Sequence, residues 1–294
     1  MQQQHEEHHG CIDAFRAYAE KMGKEVVEKS EDDCTVEDMR DVDCVVALGG
    51  DHTFLRAQAL IWNRQIPILG VNTNRKVYMG ALSPHFIDYK DSEEQAALLL
   101  ETMEDDYARS YEKRTRILYK RIKNHEEEEE QKVLCLNEVF CAEKEVSSAS
   151  RFCIMRDGRD LGVFKSSGLI ISSGTGSTGW LYAARQLTAD QIRDISNCIG
   201  SLSSDCDTHD VLAEKISDET IFARNDPRMY FQVREGFSNT QMSEGFCKHM
   251  KITSEMLNGQ VVIDAWYNRS LAIGDQFTVH SAPEYVLRAM ELEI

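Results

Sequence analysis

The first candidate for chemistry is a glycine turn that follows an apolar run. Residues Cys44 to Leu48 are apolar throughout, and Gly49-Gly50-Asp51-His52-Thr53 comes directly after them. Glycines at a strand end let the backbone approach a phosphate closely, and the N–H groups that open the next helix attract anions. A carboxylate there could take the proton from an attacking hydroxyl or help to hold a metal ion. An ordinary tight turn explains the segment equally well.

The second candidate is a loop of small residues, SSGTGSTGW, at Ser172 to Trp180. Glycine, serine and threonine after a strand expose many N–H and O–H donors, which suit a phosphate or a ribose. The residues that follow, Trp180 to Leu187, have helical spacing, so the loop also leads into a helix start. A flexible loop without a ligand is the alternative.

The third candidate is the polar pair Asn137-Glu138 inside the otherwise apolar run Leu134 to Phe140. Burying such a pair is costly unless it finds hydrogen-bond partners. Vicinal ribose hydroxyls would satisfy it, since a carboxylate accepts two hydrogen bonds and an amide fixes orientation. A structural hydrogen bond to a neighbouring turn remains equally open.

The elements that must position these residues fall into two regions. Strand Cys44 to Leu48, helix Thr53 to Trp62 and strand Pro67 to Val71 predict a βαβ unit, whose ligand sites lie at the carboxyl ends of the strands. We expect an α/β domain over residues 1–104, to which the tail 280–294 could return, and a β-rich domain over 105–279. Further helices are predicted at Cys11 to Gly23, Glu93 to Glu104 and within Ala189 to Lys215. A short strand is predicted at Glu25 to Val27. Hairpin turns are predicted at Asp157-Gly158 and Asn258-Gly259. In the β-rich region the predicted strands are Arg116 to Ile122, Val133 to Phe140, Arg151 to Arg156, Val163 to Phe164, Leu169 to Ser173, Met229 to Arg234, Lys251 to Met256 and Gln260 to Trp266.

Composition narrows the classes of partner. The 294 residues are 42% apolar and 28% charged, with a formal net charge of -17. This acidity argues against nucleic acid or an anionic membrane as partner. Nine cysteines without a C-x-x-C pair predict free thiols and a reducing compartment. The first residues carry no leader-like pattern, so we expect either a cytoplasmic protein or one whose targeting segment lies outside this sequence.

Four segments in order resemble the NAD kinase family. They are GGDHT (Gly49 to Thr53), ILGVNTN (Ile68 to Asn74), LNEVF (Leu136 to Phe140) and SSGLIISSGTGSTGW (Ser166 to Trp180). They match the family's GGDGT loop, GVN strand, Asn-Glu pair and TGST-type loop, and the similarity runs from about His8 to Asp275. The N-terminal helix, Lys165 to Gly168 in place of an aspartate, Trp180 in place of a tyrosine, and Pro227 to Glu235 resemble the divergent mitochondrial branch.

The resemblance implies a fold and a reaction. The fold would be a Rossmann-like α/β domain, here without the family's first strand, followed by a β-rich sandwich domain. ATP, with a divalent metal such as Mg²⁺, would donate its γ-phosphoryl group to the 2′-hydroxyl of the adenosine ribose of NAD. A homodimer and a mitochondrial location are implied as well.

The resemblance also implies roles for individual residues. Asp51 would be the catalytic base, and Asn137 and Glu138 would hold the other ribose of NAD. The residues implied to contact nucleotide are Gly49, Gly50, His52, Thr53, Asn72, Asn137, Glu138, Thr175, Gly176, Ser177, Thr178 and Trp180. None of them is assigned as a metal ligand.

Two departures from the family pattern matter. His52 stands where the family has glycine, and if that position requires φ > 0, histidine would strain the backbone by on the order of 1–3 kcal/mol and obstruct the phosphate donor. Gly174 stands where many members have proline. A non-catalytic nucleotide-binding relative is therefore the second hypothesis. A lipid or sphingoid-base kinase, which shares a GGDGT loop, is the third, although the Asn-Glu pair argues against it.

Overall fold

The computed structural model describes residues 2–74, 80–105, 109–122, 131–200, 206–237 and 242–293. The chain divides into two compact units: Met1–Arg114 together with Glu284–Ile294, and Thr115–Pro283. The helices are α1 (Gln2–Lys21), α2 (Asp51–Leu60), α3 (Ser92–Glu104), α4 (Trp180–Arg185), α5 (Ala189–Ile199) and α6 (Cys206–Asp218). The strands are β1 (Val45–Leu48), β2 (Pro67–Asn72), β3 (His85–Phe86), β4 (Arg109–Ile122), β5 (Lys132–Cys135), β6 (Glu138–Glu143), β7 (Ser150–Arg156), β8 (Arg159–Ser166), β9 (Gly168–Ser172), β10 (Met229–Arg234), β11 (Glu244–Cys247), β12 (His249–Ser254), β13 (Gly259–Ile263), β14 (Tyr267–Leu271) and β15 (Gln276–Leu292).

The first unit is built on a parallel sheet. β1 pairs with β2 so that Leu48 lies opposite Val71, and β2 also pairs in parallel with β3 and with the end of β15. Every residue of β2 is buried, as expected for a central strand of a parallel sheet. Cys11, Phe15 and Ala19 recur at helical spacing on α1 and pack with α3 into the same apolar cluster as β2. The predicted βαβ unit is confirmed as β1-α2-β2.

The second unit contains two antiparallel sheets. In one, β12 pairs with β7 and with the first part of β15, and β7 pairs with β8. The other has the order β11-β10-β9-β6-β13-β14. Apolar side chains of both sheets form one buried cluster, which includes Phe152, Phe231 and Phe277. The predicted fold class, an α/β unit and a β-rich sandwich, is confirmed.

The strand predicted at Val133 to Phe140 is wrong as a single element. The chain bends at Leu136-Asn137 and changes sheets, because β5 pairs with β4 whereas β6 pairs with β9 and β13. The apolar pattern continues through the bend because residues on both sides of it, Cys135 and Val139, enter the same core. The polar pair Asn137-Glu138 therefore lies at a sheet crossing.

The two predicted hairpin turns have different outcomes. Asp157-Gly158 is confirmed: both residues have positive φ, and Arg156 pairs with Arg159 across the turn. Asn258-Gly259 is not a hairpin, since β12 and β13 belong to different sheets. The carboxylate of Glu143 accepts the N–H groups of Leu257 and Asn258 and holds that connection instead. The short strand predicted at Glu25 to Val27 is also wrong, because this segment has no regular structure.

A turn between β13 and β14 stores backbone strain. Asp264 and Ala265 both adopt the left-handed conformation, with φ values of 47° and 61°. For a residue with a Cβ this conformation costs about 1–2 kcal/mol, whereas glycine adopts it freely but loses more entropy on folding. Ala265 is exposed, so a change there removes little packing.

We expect Ala265→Gly to raise the free energy of unfolding by up to about 1 kcal/mol. Gly158→Ala should lower the free energy of unfolding by about 1 kcal/mol, because φ is 81° at this position. An added Cβ there would meet no atom within 4 Å, so the backbone conformation is the only source of strain. Urea unfolding of both variants measures the two changes. Destabilisation by both would contradict the strain at Ala265.

Candidate functional site

The glycine turn forms the start of α2 in the first unit. Gly50 precedes the helix with φ −86° and ψ −173°, and no side chain caps it. The Gly49 N–H donates to the Val71 carbonyl at 2.9 Å, which fixes the turn to β2. A Cβ on Gly49 would lie 2.9 Å from Cβ of Thr53 and nearer still to its hydroxyl. The turn therefore requires glycine, and it leaves the first N–H groups of α2 without helical partners.

Asp51 and Asn72 both lie beside the segment Gly80 to Leu82. Oδ1 of Asp51 accepts the Leu82 N–H at 2.9 Å, and Oδ2 accepts the Ala81 N–H at 3.1 Å. Asn72, buried at the end of β2, accepts the Asn74 N–H at 2.8 Å, and a Cβ on Gly80 would lie 2.9 Å from its amide nitrogen. These two predicted site residues are thus brought together at the carboxyl ends of β1 and β2.

His52 does not have the conformation that the glycine of the family motif suggested. It is the second residue of α2, it is absent from the described residues with positive φ, and its side chain is 54% exposed. The expected backbone strain is therefore wrong. Nδ1 of the imidazole lies 3.5 Å from Oε2 of Glu31.

Glu31 is a partner that the sequence did not reveal. Its carboxylate accepts the Thr53 hydroxyl at 2.6 Å and Nη1 of Arg56 at 3.1 Å. The segment around Glu31 has neither strand nor helix periodicity, so no local pattern marks it. Thr53, a predicted nucleotide contact, is bound to the protein itself in this structure.

We expect His52→Gly to lower the free energy of unfolding by up to about 1 kcal/mol, because glycine is a poor helix former and there is no strain to relieve. His52→Ala is the matched control, since it removes the imidazole but keeps helix propensity. Urea unfolding of both variants measures the effect, and stabilisation by glycine alone would contradict the helical assignment.

The bend at Leu136-Asn137 is held by Asp264 of the second unit. Its buried carboxylate accepts three consecutive backbone N–H groups, those of Leu136 at 2.7 Å, Asn137 at 2.8 Å and Glu138 at 3.2 Å. The Cys135 thiol lies 3.2 Å from the same carboxylate. Sequence reasoning missed Asp264, although a carboxylate inside the apolar run Gln260 to Trp266 was a usable signal.

Burial sets the protonation of the carboxyl groups at this bend. Desolvation, followed by the charge of Asp264, raises the pKa of Glu138 to about 8. Desolvation also raises the pKa of Asp264, to about 6, against the opposing effect of its backbone hydrogen bonds. Glu138 is therefore mainly protonated at pH 7 and offers one donor and one acceptor, where the sequence predicted an acceptor of two hydrogen bonds.

The small-residue loop lies directly against Asn137. The Ser173 N–H donates to the Asn137 carbonyl at 2.9 Å, and a Cβ on Gly176 would come within 2.6 Å of the Asn137 carbonyl carbon. Two predicted contacts in this loop are occupied by the protein. The Ser177 hydroxyl bonds to the Gly174 carbonyl at 2.7 Å and to the Phe222 N–H at 3.2 Å, and the Thr178 hydroxyl donates to the Thr175 carbonyl at 3.2 Å.

Trp180 opens α4 beside this loop. It is 39% exposed, and its ring lies 4.4 Å from that of Phe140, measured between centroids. The guanidinium of Arg234 lies 5.8 Å from the Trp180 ring. Trp180 and Phe140 thus form an aromatic pair close to Glu138, which lies two residues before Phe140.

Two buried polar atoms at this site have no hydrogen-bond partner within the described residues: Oδ1 of Asn137 and Oγ1 of Thr175. Leaving a buried acceptor or donor unpaired costs about 1–3 kcal/mol, so each such atom requires an explanation. Both belong to the segments that the sequence singled out. Each atom is also closed to solvent, so a bound polar molecule would reach it only after the side chain rotates.

Other kinds of site are not found in the parts of the chain that the structure describes. No group of three or more His, Cys, Asp or Glu side chains there has the geometry to hold a metal ion. No helix among these residues is long and apolar enough to cross a membrane. The cysteines with described side chains form no disulfide with one another.

Structural comparison supports the fold. Yeast NADH kinase complexed with NADH superposes with a TM-score of 0.64 at 16% identity, covering 98% of this chain and 80% of that one. An NAD kinase from Archaeoglobus fulgidus in complex with ATP gives a TM-score of 0.61 at 16% identity, covering 96% and 88%. At these identities the similarity shows the fold alone.

Sequence comparison supports the family. The model of the ATP-NAD kinase N-terminal domain matches residues 1–102. NAD kinase from Bacteroides fragilis is 30% identical over 149 residues, 51% of this chain and 47% of that protein, so the chain spans about half the length of this relative. Human mitochondrial NAD kinase 2 is 26% identical over 271 residues, 78% of this chain and 60% of that protein. Together with the fold, these matches show that the chain is similar to NAD kinases over most of its length, and that its first third matches their N-terminal domain.

Proposed function

We propose that this protein is an NAD kinase, which transfers the γ-phosphoryl group of ATP to the 2′-hydroxyl of the adenosine ribose of NAD. The observation that carries the proposal is the pair of unpartnered buried atoms, Asn137 Oδ1 and Thr175 Oγ1, beside Glu138. Burial raises the pKa of the Glu138 carboxyl, which favours the acid form that both donates and accepts. An acceptor, a hydroxyl and such an acid form a set that complements a ribose diol. The similarity to NAD kinases supports the choice of ribose over other diols.

In the first unit, Asp51 would accept the proton of the attacking hydroxyl. Its carboxylate is held by the N–H groups of Ala81 and Leu82, which use one lone pair on each oxygen and leave others free. The unsatisfied N–H groups at the start of α2 would face negative charge on phosphate. Phosphoryl transfer depends mainly on positioning and charge neutralisation, so one base and a set of N–H donors are sufficient roles for these residues.

Mg²⁺ would enter as part of the substrate, bound to ATP. This ion is usually held by one or two carboxylates plus substrate phosphates rather than by an all-protein cage. Mg²⁺ supplies charge neutralisation at the transferred phosphate, and Asp51 is the carboxylate that could also contact it.

The location and assembly of the protein are part of the proposal. The similarity to relatives named mitochondrial NAD kinase 2 in human, rat and Xenopus tropicalis supports a mitochondrial location. We propose a homodimer on the resemblance to that branch. NAD and ATP are the proposed ligands, since the two similar structures are complexes with NADH and ATP.

A non-catalytic nucleotide-binding relative is the second candidate. It was motivated in part by strain at His52, and the helical conformation of that residue removes this part of the motive. A sphingoid-base kinase has even less support, because an apolar lipid tail would not satisfy Asn137 and Thr175.

Transfer of label from γ-³²P ATP with Mg²⁺ to each of NAD, NADH and sphingosine tests these candidates together. We expect labelled NADP or NADPH and no labelled lipid. Label on sphingosine, or no label on either dinucleotide, would overturn the proposed activity.

We expect Glu138→Ala to weaken NAD binding about tenfold or more at pH 7, since it removes two hydrogen bonds worth about 0.5–1.5 kcal/mol each. Glu138→Gln should bind NAD within a few-fold of wild type at this pH, because an amide imitates the neutral acid. Above pH 8 wild-type affinity should fall as the carboxyl ionises, whereas the Gln variant should not change. Calorimetry from pH 6 to 9 measures this, and tighter wild-type binding at pH 9 would show that the carboxylate is the binding form.

A further inference from the structure

Asp264 occupies an unusual position behind the polar pair Asn137-Glu138. It is 1% exposed, it begins a turn in the left-handed conformation, and its carboxylate faces the bend between β5 and β6. A left-handed backbone at a residue other than glycine persists only where surrounding contacts impose it, and such positions concentrate at functional sites.

We propose that Asp264 is a positioning residue that fixes Asn137 and Glu138 from behind and acts on Glu138 through its charge as well as through geometry. The proposal rests on the proposed function for the identity of the ligand, but not for the action of Asp264 on the protein.

The geometric part follows from the sheet crossing. When the chain leaves one sheet for the other, Leu136 and Asn137 lie between the ladders of β5 and β6, and Glu138 is the first residue of β6. One carboxylate accepts the N–H groups of all three, at 2.7, 2.8 and 3.2 Å. Because these donors are consecutive, the carboxylate fixes the backbone on both sides of Asn137 and so determines where the side chains of Asn137 and Glu138 point.

The electrostatic part follows from what surrounds Glu138. Asp264 is the charged group that acts on it, and Arg116, which is fully buried, interacts electrostatically with Asp264. The Cys135 thiol, whose pKa is raised by burial and by Asp264, stays neutral. Desolvation raises the pKa of Asp264 to about 6, and its three N–H donors oppose that shift. The negative charge that Asp264 carries above this pH adds to desolvation of Glu138 itself in favouring a proton on Glu138.

The consequence is a polar pair without net charge. In a chain with a formal charge of -17, an ionised Glu138 beside an anionic dinucleotide would repel its diphosphate. A protonated Glu138 avoids this repulsion and still makes two hydrogen bonds. The negative charge of Asp264 thus binds the three backbone N–H groups at the bend, while the ligand contacts the neutral carboxylic acid of Glu138.

Carbon-13 NMR of side-chain carboxyls in the ligand-free protein tests the proposal, with Glu138→Gln used to assign the resonance. In wild type we expect Glu138 to titrate near pH 8. In Asp264→Asn, which keeps the size of the side chain but removes its charge, the midpoint should fall by about one pH unit or more. Amide hydrogen exchange at Leu136, Asn137 and Glu138 should become faster in the same variant.

Ala265→Gly is the matched control, because it changes the adjacent residue of the same turn and should alter neither measurement. An unchanged midpoint in Asp264→Asn would overturn the electrostatic part, and unchanged exchange would overturn the geometric part. If the variant does not fold, the wild-type titration still decides, since a midpoint near the ordinary glutamate value of about 4.3 would overturn the proposal. The expected titration without any NADP formation would instead refute the proposed activity and leave the role of Asp264 intact.

Discussion

Asp51→Asn is expected to lower the rate of NADP formation by about 10²–10⁴-fold, the usual contribution of a general base. NAD should bind within a few-fold of wild-type affinity, because asparagine keeps the shape of the side chain. The carbonyl oxygen of the new amide can still accept one of the two N–H groups, from Ala81 or Leu82, that hold Asp51. What is lost is the capacity to accept a proton. Single-turnover rates and NAD affinity, measured on the same sample, separate the two effects.

Asp88→Asn is the control for this result. Asp88 belongs to the same unit, and its carboxylate also accepts a backbone N–H, from Lys90 at 3.1 Å, but it is not a predicted site residue. Its variant should turn over at the wild-type rate. An Asp51→Asn protein that kept more than about a tenth of that rate would remove Asp51 from the role of base.

Gly176→Ala is expected to weaken NAD binding by at least about tenfold and to lower the free energy of unfolding by roughly 1–3 kcal/mol. The added Cβ would come within 2.6 Å of the Asn137 carbonyl carbon and 2.7 Å of the Ser172 hydroxyl. Backbone cannot yield as a flexible side chain does, so either the loop or Asn137 must move. Asn137, and Thr175 in the loop, carry the unpartnered atoms that we propose to bind the ribose.

Gly236→Ala provides the matched control in the same unit. The nearest atom to its added Cβ is Cγ1 of Val233 at 3.7 Å, an ordinary contact, so binding and stability should change little. Calorimetric titration with NAD and urea unfolding are measured for both variants. Wild-type NAD affinity in Gly176→Ala would mean that this loop does not form the NAD site.

The parts of the fold that sequence predicts best are those with local signals. The apolar run before Gly49, the helical spacing after Asp51 and the buried strand at Pro67 each lie within a few residues, and together they gave the βαβ unit correctly. The Asp157-Gly158 hairpin is likewise encoded by two adjacent residues that tolerate positive φ.

The parts that sequence missed depend on partners far apart in the chain. Asp264 lies more than 120 residues from the N–H groups it accepts, and Glu31 lies more than 20 from Thr53. The hydroxyl of Ser177 is engaged by Phe222, which no spacing rule connects to it. Periodicity reports which face of an element is buried, not which polar groups meet there, so residue types could be recognised while their pairing could not.

The most direct test of the proposed activity is the identity of the product. Phosphorus-31 NMR of a reaction with NAD, ATP and Mg²⁺ distinguishes a new phosphomonoester on the adenosine ribose from unreacted diphosphate and from free phosphate. We predict one new 2′-phosphate resonance, which grows at the rate of ADP formation in wild type and is absent in Asp51→Asn. ADP with free phosphate and no phosphomonoester, or a phosphomonoester formed equally by Asp51→Asn, would contradict it.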